Sequence, residues 1–561
     1  MNNQLTLLDI SVFLVYILVV GAYGFWIYNR KKKAVADTRD FFLAEGSLTW
    51  WAIGASLIAS NISAEQFIGM SGNGFFVGIA VAAYEWIAAL ALVIIAVWFI
   101  PIYLKNKIYT MPQFLKMRYN ETVALIMAIF WLFLYVFVNL TSILYLGAIA
   151  IDGLLGGQYL HTIMIVLALA AVIITLGGMK VIGYTDVIQV AVLIIGGLAT
   201  TYMALCIVSE KFGMGSDALA GFNVLLKDAP NHFHMILDKP TASSPQEEVD
   251  KYLILPGILM YIAGQWIVNL NYWGCNQYIT QRALGADLQT ARTGILFAAM
   301  LKLMMPVIVM LPGIAAYVLY KNGHLPQLKG GMDGAYSAVL SFLPSGLKGL
   351  SVAALTAAIV ASLAGKANSI STIFTLDIYK KYMKKDADEA KMVWTGRLAV
   401  VFSMIVAIIF TWDDLLGIGS AGGFTFIQKY TGYISPGVFA VFMLGMFWKR
   451  TTGAAAIAGI LCGFAFSVFF NEAAPYLLGN ETFLYTAYLN KDGRYEIPFL
   501  LCMGLSFFFT LAIMIAMSLT GPKINPKAFN NDTSMFRVKP TTLIQIIIIL
   551  MILMALYVKF W

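Results

Sequence analysis

The stretch Ala59–Gly72, ASNISAEQFIGMSG, decides the fold of this chain because it places polar groups inside an apolar run. It follows TWWAIGASLI and precedes FFVGIAVAAYEWIAALALVIIAVWFI, both of which have the composition of membrane helices. A charged group at the centre of a membrane helix costs about 2.5 to 3.5 kcal/mol. A chain that carries Glu65 at such a position is expected to use these polar groups for a specific purpose.

The composition indicates a protein embedded in a lipid bilayer. Of the 561 residues, 60% are hydrophobic and 12% are charged, which leaves too little polar surface for a soluble globular protein. The net charge of +8 comes from Lys and Arg residues in short connections between apolar runs. Cytoplasmic membrane loops have this pattern, so we expect no nucleic-acid partner. The four cysteines have no paired spacing and predict neither a disulfide framework nor a zinc site.

The apolar runs predict an all-α polytopic membrane protein with about 14 transmembrane helices, since about 20 residues span a bilayer. The predicted spans are Leu8–Tyr28, Trp50–Gly72, Phe76–Leu104, Val123–Ile151, Thr162–Leu176, Thr185–Val208, Leu253–Cys275, Gly294–Tyr320, Leu350–Tyr379, Val393–Thr411, Gly423–Trp448, Gly453–Phe470, Pro498–Leu519 and Thr541–Val558.

Lys and Arg residues concentrate in alternate connections between these spans. The first such connection carries Arg30, Lys31, Lys32, Lys33 and Arg39. Because basic loops stay in the cytoplasm, both termini are predicted to face outside. The longest external segment is then the acid-rich stretch 210–251.

Two spans are interrupted by polar residues: the second, at NISAEQ, and the seventh, at WIVNLNYWGCNQY. They lie five spans apart and therefore cross the bilayer in opposite directions. Transporters built from inverted repeats place broken helices at corresponding positions, and the substrate binds where the breaks meet. The alternative is that each polar cluster only packs one helix against another.

Ionisable and amide side chains within the spans indicate a polar ligand. The ionisable ones are Glu65, Glu85, Asp186, Lys302, Lys366 and Lys429. A buried charge needs a partner, and a shared polar cavity would supply one. Amides beside a carboxylate and an ammonium can saturate a ring of hydroxyls, each of which is both donor and acceptor. The polar set therefore favours a neutral polyol such as a sugar.

The motifs NISAEQFIGMSG, YEW, YTDVIQV, NYWGCNQYITQR, TIFTLDIYKKY and FIQKYTGYISPG resemble the sodium/solute symporter family, and within it the bacterial sodium/glucose and sodium/galactose cotransporters. The resemblance covers essentially the whole chain. It implies a single transporter domain, 1–561, with a leucine-transporter-like core of two inverted five-helix repeats, 50–208 and 253–448. An extra N-terminal helix, 8–28, and three C-terminal helices, 453–558, complete the domain.

The resemblance also implies the substrate site by matching position. The implied sugar contacts are Asn61, Gln66, Glu85, Asn269, Lys302 and Gln428. Tyr272 would stack on the sugar as an inner gate backed by Trp273, and the outer gate would be formed by Met70, Tyr84 and Phe424. One family contact, a serine three residues after the Glu of YEW, is Ala88 here, which removes a hydroxyl from the pocket.

The implied sodium site departs further from the family. Backbone carbonyls of Ala59, Ile62 and Ala358 match the family, as does the hydroxyl of Ser362, but the second hydroxyl position is Ala361. A hard cation wants a full shell of oxygens, so this loss weakens the site.

Lys366 lies four residues after Ser362 on the same helical face. Its ammonium can reach towards Asp186, which would leave the sodium site intact, or towards Ala59 and Ile62, which would repel sodium. Lys366 and Asp186 are therefore predicted to modify the ion site.

We interpret the chain as a secondary active transporter, not an enzyme, that takes up a hexose (glucose or galactose) with co-transported sodium by alternating access in a bacterial inner membrane. No HExxH, P-loop or G-x-S-x-G motif at a strand–helix turn favours an enzyme. The alternatives are a proton-coupled or ion-independent sugar transporter with Lys366 in place of sodium, a symporter of another small solute, or a sugar sensor. The sequence predicts no particular oligomeric state.

Overall fold

Helices form almost all of the regular structure, in a computed structural model that describes residues 6–31, 48–63, 65–155, 158–325, 328, 331–418 and 423–561. Among the described residues, ten helices are long and apolar enough to cross a membrane. They are Leu7–Ile27, Ile79–Lys105, Glu121–Leu154, Val181–Lys211, Leu288–Lys321, Leu347–Met383, Glu389–Thr411, Gly453–Leu478, Phe499–Leu519 and Pro540–Phe560. A polytopic all-α membrane protein is therefore confirmed.

Two further spans are bent pairs of helices. Gln246–Ile262 meets Gln265–Cys275 at 79°, and Gly423–Gly432 meets Ser435–Phe447 at 50°, which brings the number of spans to as many as twelve in the part of the chain described. The apolar helix Leu160–Leu176 is shorter. The predicted count of fourteen spans stays a prediction.

One compact unit comprises Met1–Ala82, Trp131–His234 and Thr293–Ile427. Its helices are Leu7–Lys31, Trp50–Asn61, Glu65–Met70, Ser71–Phe76, Ile79–Ala82, Leu134–Leu140, Thr141–Leu154, Leu160–Leu176, Gly178–Lys211, Ala218–Asp228, Pro230–Phe233, Leu311–Lys321, Gly331–Gly334, Ala335–Ser341, Leu347–Thr372, Ile373–Met383 and Glu389–Thr411. We call this the first unit.

The second unit comprises Ala83–Phe130, Met235–Arg292 and Gln428–Trp561. Its helices are Ala83–Ile94, Ile95–Phe99, Ile100–Lys105, Met111–Arg118, Gln246–Ile254, Gly257–Ile262, Gln265–Cys275, Gln277–Leu284, Ser435–Phe447, Gly453–Val468, Phe469–Ala473, Ala474–Leu478, Phe499–Leu519, Thr533–Phe536 and Pro540–Phe560. Strands Tyr488–Leu489 and Tyr495–Glu496 pair antiparallel. Three helices run across the boundaries in the chain: Glu121–Phe133, Leu288–Val309 and Gly423–Gly432.

Both units draw on both of the predicted repeats, 50–208 and 253–448, so the units are not the repeats themselves. The assignment of the repeats, of the extra helix 8–28 and of the C-terminal helices 453–558 stays a prediction. The basic residues Lys32, Lys33 and Arg39, which support the predicted orientation, lie outside the described residues.

Paired glycines allow a close helix crossing at the first half of the second span. A Cβ atom on Gly54 would lie 2.7 Å from the carbonyl oxygen of Gly294, and one on Gly294 would lie 2.8 Å from that of Trp50. Small residues let membrane helices approach until their backbones touch. Trp50–Asn61 is thereby packed directly on the helix that carries Lys302.

The seventh span is interrupted at Asn276, inside the predicted stretch, where the chain is extended with φ −96° and ψ 125°, and also at a bend before that stretch. The stretch WIVNLNYWGC is regular helix, Gln265–Cys275, and the bend falls at Ala263 and Gly264 just before it. A Cβ atom on Gly264 would lie 2.4 Å from the carbonyl oxygen of Leu500. The bend therefore follows from a close backbone approach that only glycine permits, not from the polar residues that follow.

Two basic residues from the predicted cytoplasmic connections are buried and bind backbone carbonyls. The guanidinium of Arg118 donates to the carbonyls of Gly445, Trp448 and Thr451 at 2.8 to 3.0 Å, just beyond the end of Ser435–Phe447. Arg292 donates in the same way to three carbonyls of the second unit. A cation at the C-terminal end of a helix satisfies carbonyls that have no partner within the helix. These two charges therefore stabilise the fold.

Candidate functional site

The second span is a broken helix, as the stretch NISAEQ predicts. Its first half, Trp50–Asn61, ends where Ile62 takes an extended conformation with φ −79° and ψ 112°. Its second half begins at Glu65 and continues to Phe76. Ala64, inside the break, lies outside the described residues. We call Trp50–Asn61 and Glu65–Phe76 together the broken helix.

A hydrogen-bonding pattern at Ser63 explains how the chain restarts after the break. The backbone N–H of Ser63 donates to Oε1 of Gln66 at 3.0 Å, and the Ser63 hydroxyl donates to the same oxygen at 3.3 Å. The Ser63 carbonyl in turn accepts from the N–H groups of Gln66 and Phe67. A Gln three residues after a Ser makes the return bond of a capping box. Gln66 thus stabilises the start of the second half.

The same bond releases a carbonyl of the first half. In a continuous helix the N–H of Ser63 would bond the carbonyl of Ala59, four residues earlier, but here it bonds Gln66 instead. Carbonyls at the end of a helix need other partners. One such partner serves Ser60, the residue after Ala59: its carbonyl accepts from the Ser362 hydroxyl at 3.2 Å.

Ser362 joins the broken helix to the helix Leu347–Thr372, in which every residue from Ser351 to Thr372 is buried. Ala358, the other predicted ligand on this helix, and Ala361, which stands where the family has a second hydroxyl, are each 1% exposed. The structure therefore brings Ser362 to the break, as the resemblance implies, and adds Ser60, which sequence comparison by position does not single out.

Lys366 turns towards the predicted ion site. Its ammonium donates to the Ser362 hydroxyl at 3.1 Å, and the residue is 1% exposed. Asp186 accepts from the Ser56 hydroxyl at 2.5 Å and is equally buried, so it binds the first half of the broken helix. Both predicted modifiers of the ion site thus lie near the break. Lys366 contacts Ser362, which bonds Ser60, and Asp186 contacts Ser56 in the first half of the broken helix.

The first unit holds five of the implied sugar and gate residues, all of them buried. They are Asn61, Gln66, Met70, Lys302 and Phe424. A Cβ atom on Gly69 would lie 2.6 Å from Cβ of Phe424, so the broken helix packs directly against the start of Gly423–Gly432.

The capping bond leaves the amide nitrogen of Gln66 with no hydrogen-bond partner among the described residues. This donor is available to a ligand.

The second unit holds the remaining six: Tyr84, Glu85, Asn269, Tyr272, Trp273 and Gln428. Glu85 is 3% exposed near the start of Ala83–Ile94. Asn269 uses its amide N–H to bond the Gln265 carbonyl at 2.9 Å, which leaves its oxygen as the group for a ligand. The rings of Tyr272 and Trp273 meet edge to face with centroids 5.3 Å apart. Trp273 therefore fixes the ring plane of Tyr272, as a backing residue would.

Lys429, singled out by its position in FIQKYTG, forms an ion pair with Glu496 at 3.5 Å. The side chains of Lys429 and Glu496 are 27% and 34% exposed, respectively. This pair ties Gly423–Gly432 to the strand Tyr495–Glu496 and accounts for the charge without a ligand.

Asp333 is a residue near the predicted outer gate that the sequence analysis missed. It lies in the connection between Leu311–Lys321 and Leu347–Thr372, is 6% exposed, and accepts the N–H of Gly423 at 2.9 Å. Its other oxygen would lie 2.9 Å from a Cβ atom on Gly72 and has no partner among the described residues. Burial raises the pKa of Asp333 to about 6. An isolated Asp in a loop gives no sequence signal for this.

Comparison with known proteins decides the family. A family model described as "Sodium:solute symporter family" matches residues 41–463. The chain belongs to the sodium:solute symporter family. It is 42% identical to the "Sodium/glucose cotransporter" of Vibrio parahaemolyticus, over 100% of this chain and 99% of that protein. It is 34% identical to the "Sodium/myo-inositol cotransporter 2" of Mus musculus, over 81% of this chain and 68% of that protein.

Among solved structures, a sodium-coupled sialic acid symporter in a substrate-bound outward-open state has the same fold, with a TM-score of 0.75 at 19% identity. The alignment covers 93% of this chain and 99% of that one. The leucine-transporter-like fold is therefore confirmed. As a sodium:solute symporter, the chain is a membrane transport protein and not an enzyme, and sodium is its co-transported ion.

Proposed function

We propose that this sodium:solute symporter takes up a hexose, glucose or galactose, by alternating access. The observation that carries the proposal is the whole-chain similarity to a sodium/glucose cotransporter. Relatives named for myo-inositol and sialic acid make a cyclic polyol or another sugar the competing substrates. Hexoses, myo-inositol and sialic acid all carry several hydroxyl groups. The identity of the substrate therefore depends on which arrangement of hydroxyls fits the donors and acceptors of the site.

The proposed sugar-binding groups are charged, amide and phenolic side chains, all of them buried except Tyr272 and Gln428, which are half-buried. In the first unit they are Asn61, Gln66 and Lys302, and in the second they are Glu85, Asn269, Tyr272 and Gln428. The free donor of Gln66 and the free acceptor of Asn269 suit a ligand whose hydroxyls both accept and donate. Met70, Tyr84 and Phe424 are proposed to close the outer side and Trp273 to back the inner one.

The proposed sodium ligands are the carbonyls of Ala59, Ile62 and Ala358 with the hydroxyl of Ser362. The break supports this because a carbonyl of the first half is released from helix bonding. Irregular backbone is tolerated at membrane depth where it lines a polar site. If sodium and sugar both stabilise the broken helix, each raises the affinity of the other, typically by about 1 to 3 kcal/mol.

The proposed location is the bacterial inner membrane with both termini outside. The long connection 210–251, which contains Ala218–Asp228 and the first part of Gln246–Ile254, would then lie outside the cell. Lys and Arg in the alternate connections support this orientation.

Solute counterflow tests the substrate. Purified protein in liposomes would be preloaded with unlabelled glucose, galactose, myo-inositol or sialic acid, and entry of the same compound in labelled form would be followed. We expect glucose or galactose to drive entry, and Lys302→Met to abolish it. Lys348→Met is the matched control, because Lys348 is a buried lysine outside the proposed site. Counterflow with myo-inositol or sialic acid alone would replace the hexose as substrate, and binding without counterflow would indicate a sensor.

A further inference from the structure

The ammonium of Lys366 and the hydroxyl of Ser362 form a contact that the family's sodium chemistry does not require. Lys366 lies one turn after Ser362 in Leu347–Thr372, and Nζ is 3.1 Å from Oγ. The residue is 1% exposed in a helix that is buried on all sides from Ser351 to Thr372. A lysine near a membrane surface can extend its stem to water, but here the charge stays inside the protein, at the one hydroxyl of the proposed ion site.

The hydrogen bonds of Ser362 leave little for a second cation. A hydroxyl has one proton to donate and two lone pairs to offer. The proton of Ser362 goes to the carbonyl of Ser60 at 3.2 Å, and one lone pair accepts from Lys366. A sodium ion on the same oxygen would take the remaining lone pair and would lie within a few ångströms of a positive charge. At such a separation like charges repel strongly in a protein interior.

Ala361, next to Ser362, reduces the number of oxygens that a sodium ion could use in place of the Ser362 hydroxyl. Ala361 offers no hydroxyl, so Ser362 is the only side-chain oxygen among the four proposed ligands, Ala59, Ile62, Ala358 and Ser362. A hard cation bound by few oxygens has no substitute for one that is already engaged.

We propose that Lys366 is a tethered cation that competes with sodium for Ser362 and thereby sets the sodium affinity of this symporter. Sodium binds when the four-carbon stem withdraws the ammonium from the hydroxyl, and the ammonium returns when sodium leaves. The site is therefore occupied by one cation or the other, and the hydrogen bond from Ser362 to the carbonyl of Ser60 is kept in both cases. The inference rests on the sodium site of the proposed function and not on the identity of the sugar.

Sodium-dependent thermal stability of the purified protein tests the proposal without any sugar. A ligand that binds the folded state raises the melting temperature as its concentration passes the Kd. NaCl would be titrated against choline chloride at constant ionic strength. We expect Lys366→Met to lower the half-saturating sodium concentration by about tenfold or more. Lys366→Arg keeps the charge and should keep the weak sodium response. Lys348→Met, which removes another buried lysine of the same helix, should leave the sodium concentration unchanged.

A double variant makes the test specific to Ser362. If the two residues compete through this hydroxyl, Lys366→Met should gain nothing in the Ser362→Ala background, so the two effects are not additive. A sodium response that is present in Lys366→Met and absent in the wild type would mean that Lys366 excludes sodium altogether; it would support the competition and contradict sodium coupling of the wild type. Equal sodium responses of wild type and Lys366→Met, or a weaker response in the variant, would overturn it. A normal sodium response without hexose counterflow would instead reject the proposed substrate and leave this inference standing.

Discussion

The backbone N–H of Ser63 donates to the side-chain oxygen of Gln66, so the residue proposed to bind sugar also caps the second half of the broken helix. The two roles use different atoms. The oxygen of Gln66 accepts from Ser63, and its amide nitrogen remains for a ligand. A single side chain thereby connects the ligand to the backbone that lines the ion site.

Variants of Gln66 separate these roles. Gln66→Glu keeps a side-chain oxygen for the capping bond but removes the amide donor, so we expect weaker sugar binding and a stability above that of Gln66→Ala. Gln66→Ala removes both and should also destabilise the protein by about 0.5 to 2 kcal/mol, the cost of a lost cap. Thermal unfolding and sugar binding would be measured on each variant. Equal unfolding temperatures for Gln66→Ala and Gln66→Glu would rule out the capping role.

Glu85→Gln should weaken sugar affinity by about 1.5 to 3 kcal/mol, the range for a hydrogen bond to a charged group, with folded protein still in the membrane. Equilibrium binding of labelled sugar measures this. Glu496→Gln is the control, since Glu496 pairs with Lys429 and lies outside the proposed sugar set. Wild-type affinity in Glu85→Gln would remove Glu85 from the site.

Tyr272 should depend on its ring more than on its hydroxyl, because stacking on a sugar face needs the aromatic surface. We expect Tyr272→Phe to bind sugar more weakly and still transport it, and Tyr272→Ala to lose sodium-driven uptake. Tyr476→Ala, at an exposed tyrosine of the second unit, controls for loss of a ring. Uptake by Tyr272→Ala at the rate of Tyr272→Phe would contradict a stacking gate.

Asp333 predicts a pH dependence of stability. Its pKa is about 6 in the folded protein and near 3.8 in the unfolded chain, so the folded state binds more protons between these values. Stability should therefore fall as pH rises from about 4 to about 6, by up to about 3 kcal/mol, and stay constant above. Asp333→Asn still accepts from Gly423 but does not titrate, so the difference between the two proteins isolates this group. Parallel stability curves for wild type and Asp333→Asn would show that Asp333 is not buried in this way.

The position of the break could be predicted from the sequence because lipid excludes polar residues so strongly that NISAEQ has few other uses. The contacts that side chains make at the break could not be predicted from the sequence. Matching by sequence position assigns the carbonyls of Ala59 and Ile62 to the ion site, but the hydroxyl of Ser362 bonds the carbonyl of Ser60. Which carbonyl of the broken helix faces Ser362 depends on the rotation of the helix about its axis, which the sequence does not specify.

The direction of Lys366 was open for a related reason: a four-carbon side chain can reach several partners, and only packing selects among them. The additional bend before Gln265 could not be predicted because a close backbone approach at Gly264 involves Leu500, far along the chain. Patterns of polarity locate sites, but contacts distant in sequence decide their geometry.

Uptake of labelled glucose or galactose into liposomes, under a sodium gradient and separately under a proton gradient, tests the central claim most directly. The account predicts that an inward sodium gradient drives accumulation above the equilibrium level in the wild type, that a proton gradient alone does not, and that Ser362→Ala loses the effect. Accumulation driven by protons alone, or sugar entry that is indifferent to both gradients, would contradict sodium-coupled hexose uptake by this protein.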